Sequence, residues 1–250
     1  MANLMRTSNP ALNAKAFQTE GVAFGDRMTI SGTVNKAGIL LICAVATAAW
    51  TWSRFMASPT PEAAAPWLLI GGIGGFIVAL VTIFKKTWAP VTAPLYGLLQ
   101  GFLLGGISAL FELRFPGVAI QAVGLTFGTL VALLLVYRSG MIRVTNNFRL
   151  GVVAATGGIA LFYLATILLG FFGIRFTSIF ASGPIGIGFS IFVVIIAALN
   201  LVLDFDFIES GARAGAPRYM EWYAAFGLMV TLIWLYLEIL RLLSKLRSRR

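Results

Sequence analysis

The sequence predicts an all-α fold, a polytopic membrane protein with seven transmembrane helices in one bundle. Three observations carry that expectation. Hydrophobic residues make up 59% of the 250-residue chain against 11% charged residues, and mean hydropathy is +0.90, a composition that a single water-soluble domain cannot accommodate. Seven apolar runs approach the ~20 residues that cross a bilayer as helix. The breaks between them are short and rich in turn residues and charge, so consecutive helices must return beside one another.

The runs are residues 37–53, 66–84, 90–111, 118–137, 151–174, 184–203 and 222–240. They are separated by Ser58-Pro59-Thr60-Pro61, Lys85-Lys86, Arg114-Phe115-Pro116-Gly117, Arg138-Ser139-Gly140 and the glycine- and proline-containing stretch 211–217. Residues 1–35 are polar and lack the charged start, short apolar core and small-residue cleavage site of a signal peptide. They are expected to form a polar N-terminal arm, ahead of a transmembrane domain over 36–243 and a basic C-terminal tail over 244–250. Neither solenoid repeats nor an inverted repeat stands out. Trp50, Trp52, Trp67, Trp88, Trp222 and Trp234 fall mostly at segment ends, where an interfacial aromatic belt places them.

Charge placement suggests an orientation. With the amino terminus in the cytoplasm, that face holds Arg6, Lys15, Arg27, Lys36, Lys85, Lys86, Arg138, Arg143, Arg149, Arg213 and Arg218, and the opposite loops only Arg54, Arg114 and Arg175. The positive-inside rule therefore places the amino terminus inside. The tail, with Arg241, Lys245, Arg247, Arg249 and Arg250, opposes the rule if seven crossings are complete. The formal net charge of +10 is accounted for by anionic headgroups and topology, so no nucleic-acid partner is expected.

Glycines recur four residues apart at Gly71 and Gly75, at Gly97, Gly101 and Gly105, and at Gly124 and Gly128. That spacing lets helix backbones approach closely in lipid; tight bundle packing, a dimer interface and a gate hinge all use it. The stretch Ser182-Gly183-Pro184-Ile185-Gly186-Ile187-Gly188 is either the start of the sixth helix or an unwound segment lining a cavity.

Soluble-enzyme chemistry is excluded on residue types. The chain has no histidine, hence no Ser-His-Asp or Cys-His arrangement and no zinc helix, and its glycine clusters never form a phosphate loop. Asp204 and Asp206, two apart on a helix, point about 200° away from each other and cannot form an aspartyl dyad together, so intramembrane proteolysis would need a partner acid from another helix. Cys43 is alone in an apolar run and is expected in the core. The chain is expected to be no enzyme.

Carboxylates carry the functional signal. Only nine acidic residues occur, and three of them, Asp204, Asp206 and Glu209, cluster where the sixth apolar run ends. Acids at the end of a lipid-spanning helix are costly and mark an ion or proton path or a structural ion pair. Local ion pairs are open to Glu238 with Arg241, Glu209 with Arg213 and Glu221 with Arg218. No basic residue lies three or four positions from Asp204. Glu112, beside Arg114, is read as an interfacial group or a pore-mouth residue.

The run Ala198-Leu199-Asn200-Leu201-Val202-Leu203-Asp204-Phe205-Asp206-Phe207-Ile208-Glu209, the stretch Gly215-Ala216-Pro217-Arg218-Tyr219-Met220-Glu221-Trp222-Tyr223 and the closing Leu235-Tyr236-Leu237-Glu238-Ile239-Leu240-Arg241 resemble the transmembrane Bax inhibitor motif family, in its bacterial YccA-like branch. The likeness extends through Thr33-Val34-Asn35-Lys36, Ala93-Pro94-Leu95-Tyr96 and Ser182 to Gly188, and covers nearly the whole chain beyond residue 28. The resemblance implies seven helices with the last one central, residence in the bacterial inner membrane, and a pH-sensitive calcium leak. It also implies that a carboxylate near the end of helix six, matched by Asp204, shares a proton with one in helix seven, matched by Glu238. Protonation of the pair would open or close the pore.

Two departures bear on that pairing. Asp204 and Glu238 are 34 residues apart, so a simple hairpin turning at 211–217 places Glu238 far deeper and makes Glu221 the closer partner by depth; a kink between 211 and 227 would restore the family pairing. Gln100 stands in helix three where many relatives carry an acid.

The expected function is therefore a pH-sensitive cation (calcium) leak channel. Asp204, Asp206 and Glu238 are its proton-sensing and ion-path residues, Glu221 and Glu209 candidate partners, and Asp204 with Glu238 the candidate calcium ligands. No cofactor is expected beyond calcium as the transported ion. The alternatives are a non-conducting membrane modulator that binds a membrane protease or other quality-control partner, and a proton-coupled transporter.

Overall fold

A computed structural model describes residues 27–57, 61–173 and 177–249. Most of the expected arm, residues 1–26, lies outside the described residues. The helices in chain order are α1 (Ile30–Ala57), α2 (Pro61–Leu69), α3 (Gly75–Phe84), α4 (Ala89–Arg114), α5 (Val118–Arg138), α6 (Asn146–Phe171), α7 (Thr177–Phe180), α8 (Pro184–Arg213) and α9 (Tyr219–Arg247). A π-helical turn over Ile70–Gly74 joins α2 to α3. Among the described residues, seven helical segments are long and apolar enough to cross a membrane: α1, Ala65–Phe84, Lys86–Arg114, α5, α6, α8 and α9. The fold is an all-α polytopic membrane protein.

Helix ends differ from the hydropathy-based limits where polar caps extend the helix beyond its apolar core. α1 begins at Ile30, inside the stretch expected to be arm, because the Thr29 hydroxyl accepts the Gly32 N–H at 2.9 Å and caps the first turn. Thr145 does the same for α6 by accepting from Phe148 N at 3.2 Å. α8 starts at Pro184, with Gly183 extended before it, so the 182–188 stretch is a helix start. At its other end α8 runs on to Arg213, which makes Asp204, Asp206 and Glu209 helical residues. α9 likewise continues to Arg247, past the expected boundary of the tail.

The tightest pairing is α1 on α4, and the glycine ladder explains it. A Cβ at Gly97, Gly101 or Gly105 would meet the carbonyl oxygens of Leu40, Ala44 and Ala48 in turn. One backbone thus lies directly on the other through three helical turns, and the two run parallel. Gly71 sits in the same way against the α4 backbone at Leu99 and Leu103, and Gly75 against the Gln100 side chain. Gly124 and Gly128 face open space, so among the described residues no helix of the same chain packs on them.

α9 is central and has the largest buried share of any span. It packs on α1, α4, α5 and α8, with Leu235, Ile239 and Leu240 against Ala197, Leu201 and Phe205 of α8 and Val118 and Ala122 of α5. The buried hydroxyls of Ser108 on α4 and Tyr236 on α9 are 2.6 Å apart.

The starts of α1 and α9 share one end of the bundle. Met28 N donates to Ala216 O at 2.6 Å, Arg27 bridges to Pro217, and Lys86 lies over the Tyr223 ring. At the opposite end Arg247 donates to Pro116 O and Ser248 to Ser182. The basic tail therefore lies with Arg114, away from Lys36.

Candidate functional site

The acids divide between the centre of the bundle and its rim. Asp206 and Glu209 lie toward the rim. Asp206 pairs with the exposed Arg149 at 2.6 Å; Glu209 accepts from Tyr137 Oη at 2.5 Å and pairs with Arg213 at 3.6 Å. These contacts tie the end of α8 to α5 and α6. Glu112 accepts from Gly117 N at 2.5 Å and Ala119 N at 3.2 Å, satisfying backbone donors at the start of α5. No ion pair joins it to Arg114 among the described residues.

Three acids lie along α9 and its contact with α8. At the α1 end, Glu221 is only 3% exposed and accepts from Thr29 N at 2.8 Å, from Thr29 Oγ1 at 2.9 Å and from Lys36 Nζ. The expected pair with Arg218 is replaced by one with Lys36. α9 presents Glu221 to the start of α1, and Gly32 leaves room there: a Cβ on it would collide with the Glu221 carboxylate. Lys36 also lies over the Trp222 ring, 5.5 Å from its centroid.

Near the other end Glu238 is 2% exposed. Arg241 Nη1 donates to its two oxygens at 3.0 and 3.1 Å, and Tyr163 Oη donates to Oε1 at 3.1 Å. Arg241 also reaches Tyr163 Oη at 2.6 Å and stacks over the ring at 5.4 Å. The local pair read from the i,i+3 spacing is present, and α6 joins it through Tyr163.

Between these two lies Asp204. Its Oδ2 is shielded from solvent and has no hydrogen-bond partner, and Thr231 of α9 is its side-chain neighbour. Thr231 sets the depth. Glu238 is seven residues further along α9, about 10 Å at the helical rise, and Glu221 is ten residues back, about 15 Å. The structure brings Asp204 into contact with neither, and each of those acids is engaged elsewhere. The α8–α9 hairpin is straight enough to keep the three at separate depths. Among the described residues no group of three or more acidic or cysteine side chains converges as a metal site.

Gln100 is the other orphan. It is buried, and its Oε1 has no partner; its side chain lies against Gly75, just beyond the π-helical turn. π-turns within helices are frequent at functional sites. Sequence reasoning missed Lys36, Tyr163 and Thr231, whose roles depend on which helices meet, and read Lys245 as tail. In the fold Lys245 is buried, with its ammonium donating to Ile179 O, Gly186 O and Ser190 Oγ at 2.9–3.0 Å.

Comparison with curated proteins and with solved structures gives no match to the chain. A family model described as Bax inhibitor 1 like matches residues 9–248. Seven membrane-length helices, a central last helix and a match over almost the whole sequence lead to one assignment: the chain belongs to the Bax inhibitor 1 like family.

Proposed function

We propose that the protein is a pH-sensitive cation leak channel of the Bax inhibitor type, with calcium as the transported ion, in the bacterial inner membrane and with its amino terminus in the cytoplasm. Asp204 carries the reading. Beside Thr231, its Oδ2 is shielded inside the helix bundle with neither a hydrogen-bond donor nor an ion-pair partner among the described residues, whereas every other acid described above is satisfied from within the chain. A carboxylate without a counter-ion in a low-dielectric interior takes up a proton or a cation. Proton and calcium therefore compete for one position against the central helix.

The other buried acids supply the mechanical link. Glu221 holds α9 to α1 through Lys36, and Glu238 holds α9 to α6 through Tyr163. A change of charge at Asp204 alters the force between α8 and α9 midway between these anchors, and gating is a shift of α9 against α8.

The non-conducting modulator that binds a membrane protease remains the second reading, favoured by the close α1–α4 packing and by the saturation of the remaining acids. Calcium flux into liposomes carrying the purified protein, measured across pH, separates the two. A sigmoidal dependence on pH is expected for the channel; a tight bilayer at every pH selects the modulator.

A further inference from the structure

A second polar region lies at the end of the bundle that carries the tail, away from Asp204. Here the end of α4, the connection from α7 to α8 and the last turns of α9 line an open cavity of about 430 Å³, within the roughly 300–1,000 Å³ range of small-molecule sites. Its polar lining is Arg114, Arg241, Lys245, Ser182, Ser244 and Ser248; three phenylalanines and a leucine complete the wall.

The charge in this cavity is unbalanced. Lys245, 5% exposed, gives its three donors to two carbonyls and a hydroxyl. None of these three partners is a carboxylate. Arg114 is exposed and stacks only on the neighbouring Phe115 ring, at 5.7 Å. Glu238 lies below and is matched by Arg241. The nearby Glu112 is committed to the α5 backbone. Among the described residues neither Arg114 nor Lys245 is paired with a carboxylate.

The backbone adds to this field. Ser182 lies two residues before Pro184, where the 30-residue α8 starts, and the Gly183 cap between them is extended and makes no side-chain hydrogen bond. Gly183 offers no side chain to cap this first turn, and the helix dipole there favours an anion. The Ser182 and Ser248 hydroxyls, in contact with each other, supply further donors.

We propose that this cavity is a binding site for a phosphate-class oxyanion, with the exposed Arg114 as its movable cationic arm and with Lys245 and the Glu238-paired Arg241 fixed in its wall. Phosphate oxygens accept from guanidinium forks, serine hydroxyls and helix N-termini together. A lipid headgroup and free phosphate present the same chemistry. The site is separate from Asp204 and does not depend on ion conduction.

The test uses the purified full chain in nonionic detergent. Inorganic phosphate is titrated and followed by calorimetry, and native mass spectrometry measures retention from an equal mixture of phosphatidylglycerol and phosphatidylcholine. Arg114→Gln should weaken the preferred probe about tenfold, the loss of one charge-assisted contact. Arg54→Gln, which removes another exposed arginine outside the cavity, should change nothing. Preferential retention of phosphatidylglycerol that is lost in Arg114→Gln identifies a headgroup; saturable phosphate binding lost in the same variant identifies the free anion. The proposal is overturned if neither probe distinguishes Arg114→Gln from wild type, or if Arg54→Gln weakens binding equally.

Discussion

Glu221 is carried on the central helix and Asp204 faces that helix from α8, and each has a carboxylate oxygen shielded from water. Their surroundings differ. Glu221 receives a lysine, a backbone N–H and a hydroxyl, all from the first residues of the described chain. Asp204 has a threonine neighbour and one oxygen with nothing. The first arrangement fixes two helices together with a donor on each carboxylate oxygen. The second leaves one oxygen without a partner among the described residues.

The largest effect should follow from breaking the saturated site. Glu221→Gln or Lys36→Met leaves an uncompensated buried charge or an under-used set of donors, and either should lower unfolding stability by about 3–5 kcal/mol. Thermal or denaturant unfolding in detergent measures this. The double variant should recover much of the loss, because the partner no longer faces an empty site. A single-variant cost below about 1 kcal/mol, the range of exposed pairs, would show that the pair does not anchor α1 to α9.

These two acids also show how much of the molecule was legible in advance. Seven helices could be read from the apolar runs because lipid forces every spanning segment to declare itself in composition. The ladder Gly97, Gly101 and Gly105 announced a close contact, and α1 supplies it. Gly124 and Gly128 have the same spacing but face open space, because spacing reports what a helix permits and not which neighbour arrives. The Glu238 and Arg241 pair was readable for the same reason that any i,i+3 contact is: both partners ride on one helix. Lys36 and Glu221 are 185 residues apart, and only the shared end of α1 and α9 brings them together. Asp204 was recognisable by what its neighbours lack. Its expected pairing with Glu238 is not formed, since depth along α9 follows from where the α8–α9 turn falls.

The glycines allow a sharper version of the comparison at the backbone. Gly101→Ala pushes a Cβ against the Ala44 carbonyl and Thr47 hydroxyl and should cost about 1–3 kcal/mol, the range for overpacking. Gly128→Ala has open space before it and should be neutral or stabilise by up to about 1 kcal/mol through helix propensity. Paired unfolding curves decide this, and equal effects at the two sites would contradict the α1–α4 register.

Glu238 stands between the two extremes, since its arginine is partly exposed. Arg241→Gln leaves the carboxylate with Tyr163 Oη alone and should cost about 1–2 kcal/mol after allowance for solvent screening. Tyr163→Phe removes one hydrogen bond from a network that keeps Arg241 and should cost about 1 kcal/mol. If Tyr163→Phe proved the more damaging of the two, the α6 contact would outweigh the ion pair in holding that end of α9.

Asp204→Asn should have the smallest effect on stability. Asn keeps the size of the side chain and can still bond to Thr231, while the charge it removes has no partner to lose. Unfolding should therefore shift by no more than about 0.5 kcal/mol, or move upward as a desolvation cost disappears. Function should respond in the opposite sense. With the neutral form fixed at that position, calcium flux should lose its dependence on pH, because no proton remains to be exchanged for a cation beside Thr231. The same substitution in a Glu221→Gln or Glu238→Gln background tests coupling: independent sites add, whereas a shared proton makes one double variant no worse than its parent. A strongly destabilised Asp204→Asn would mean that the acid holds a structural contact, and an unaltered pH-dependent flux would remove Asp204 from the gate. Stability unchanged with the pH response flattened is the outcome that separates Asp204 from Glu221 in kind, the one acid exchanging ions and the other holding helices.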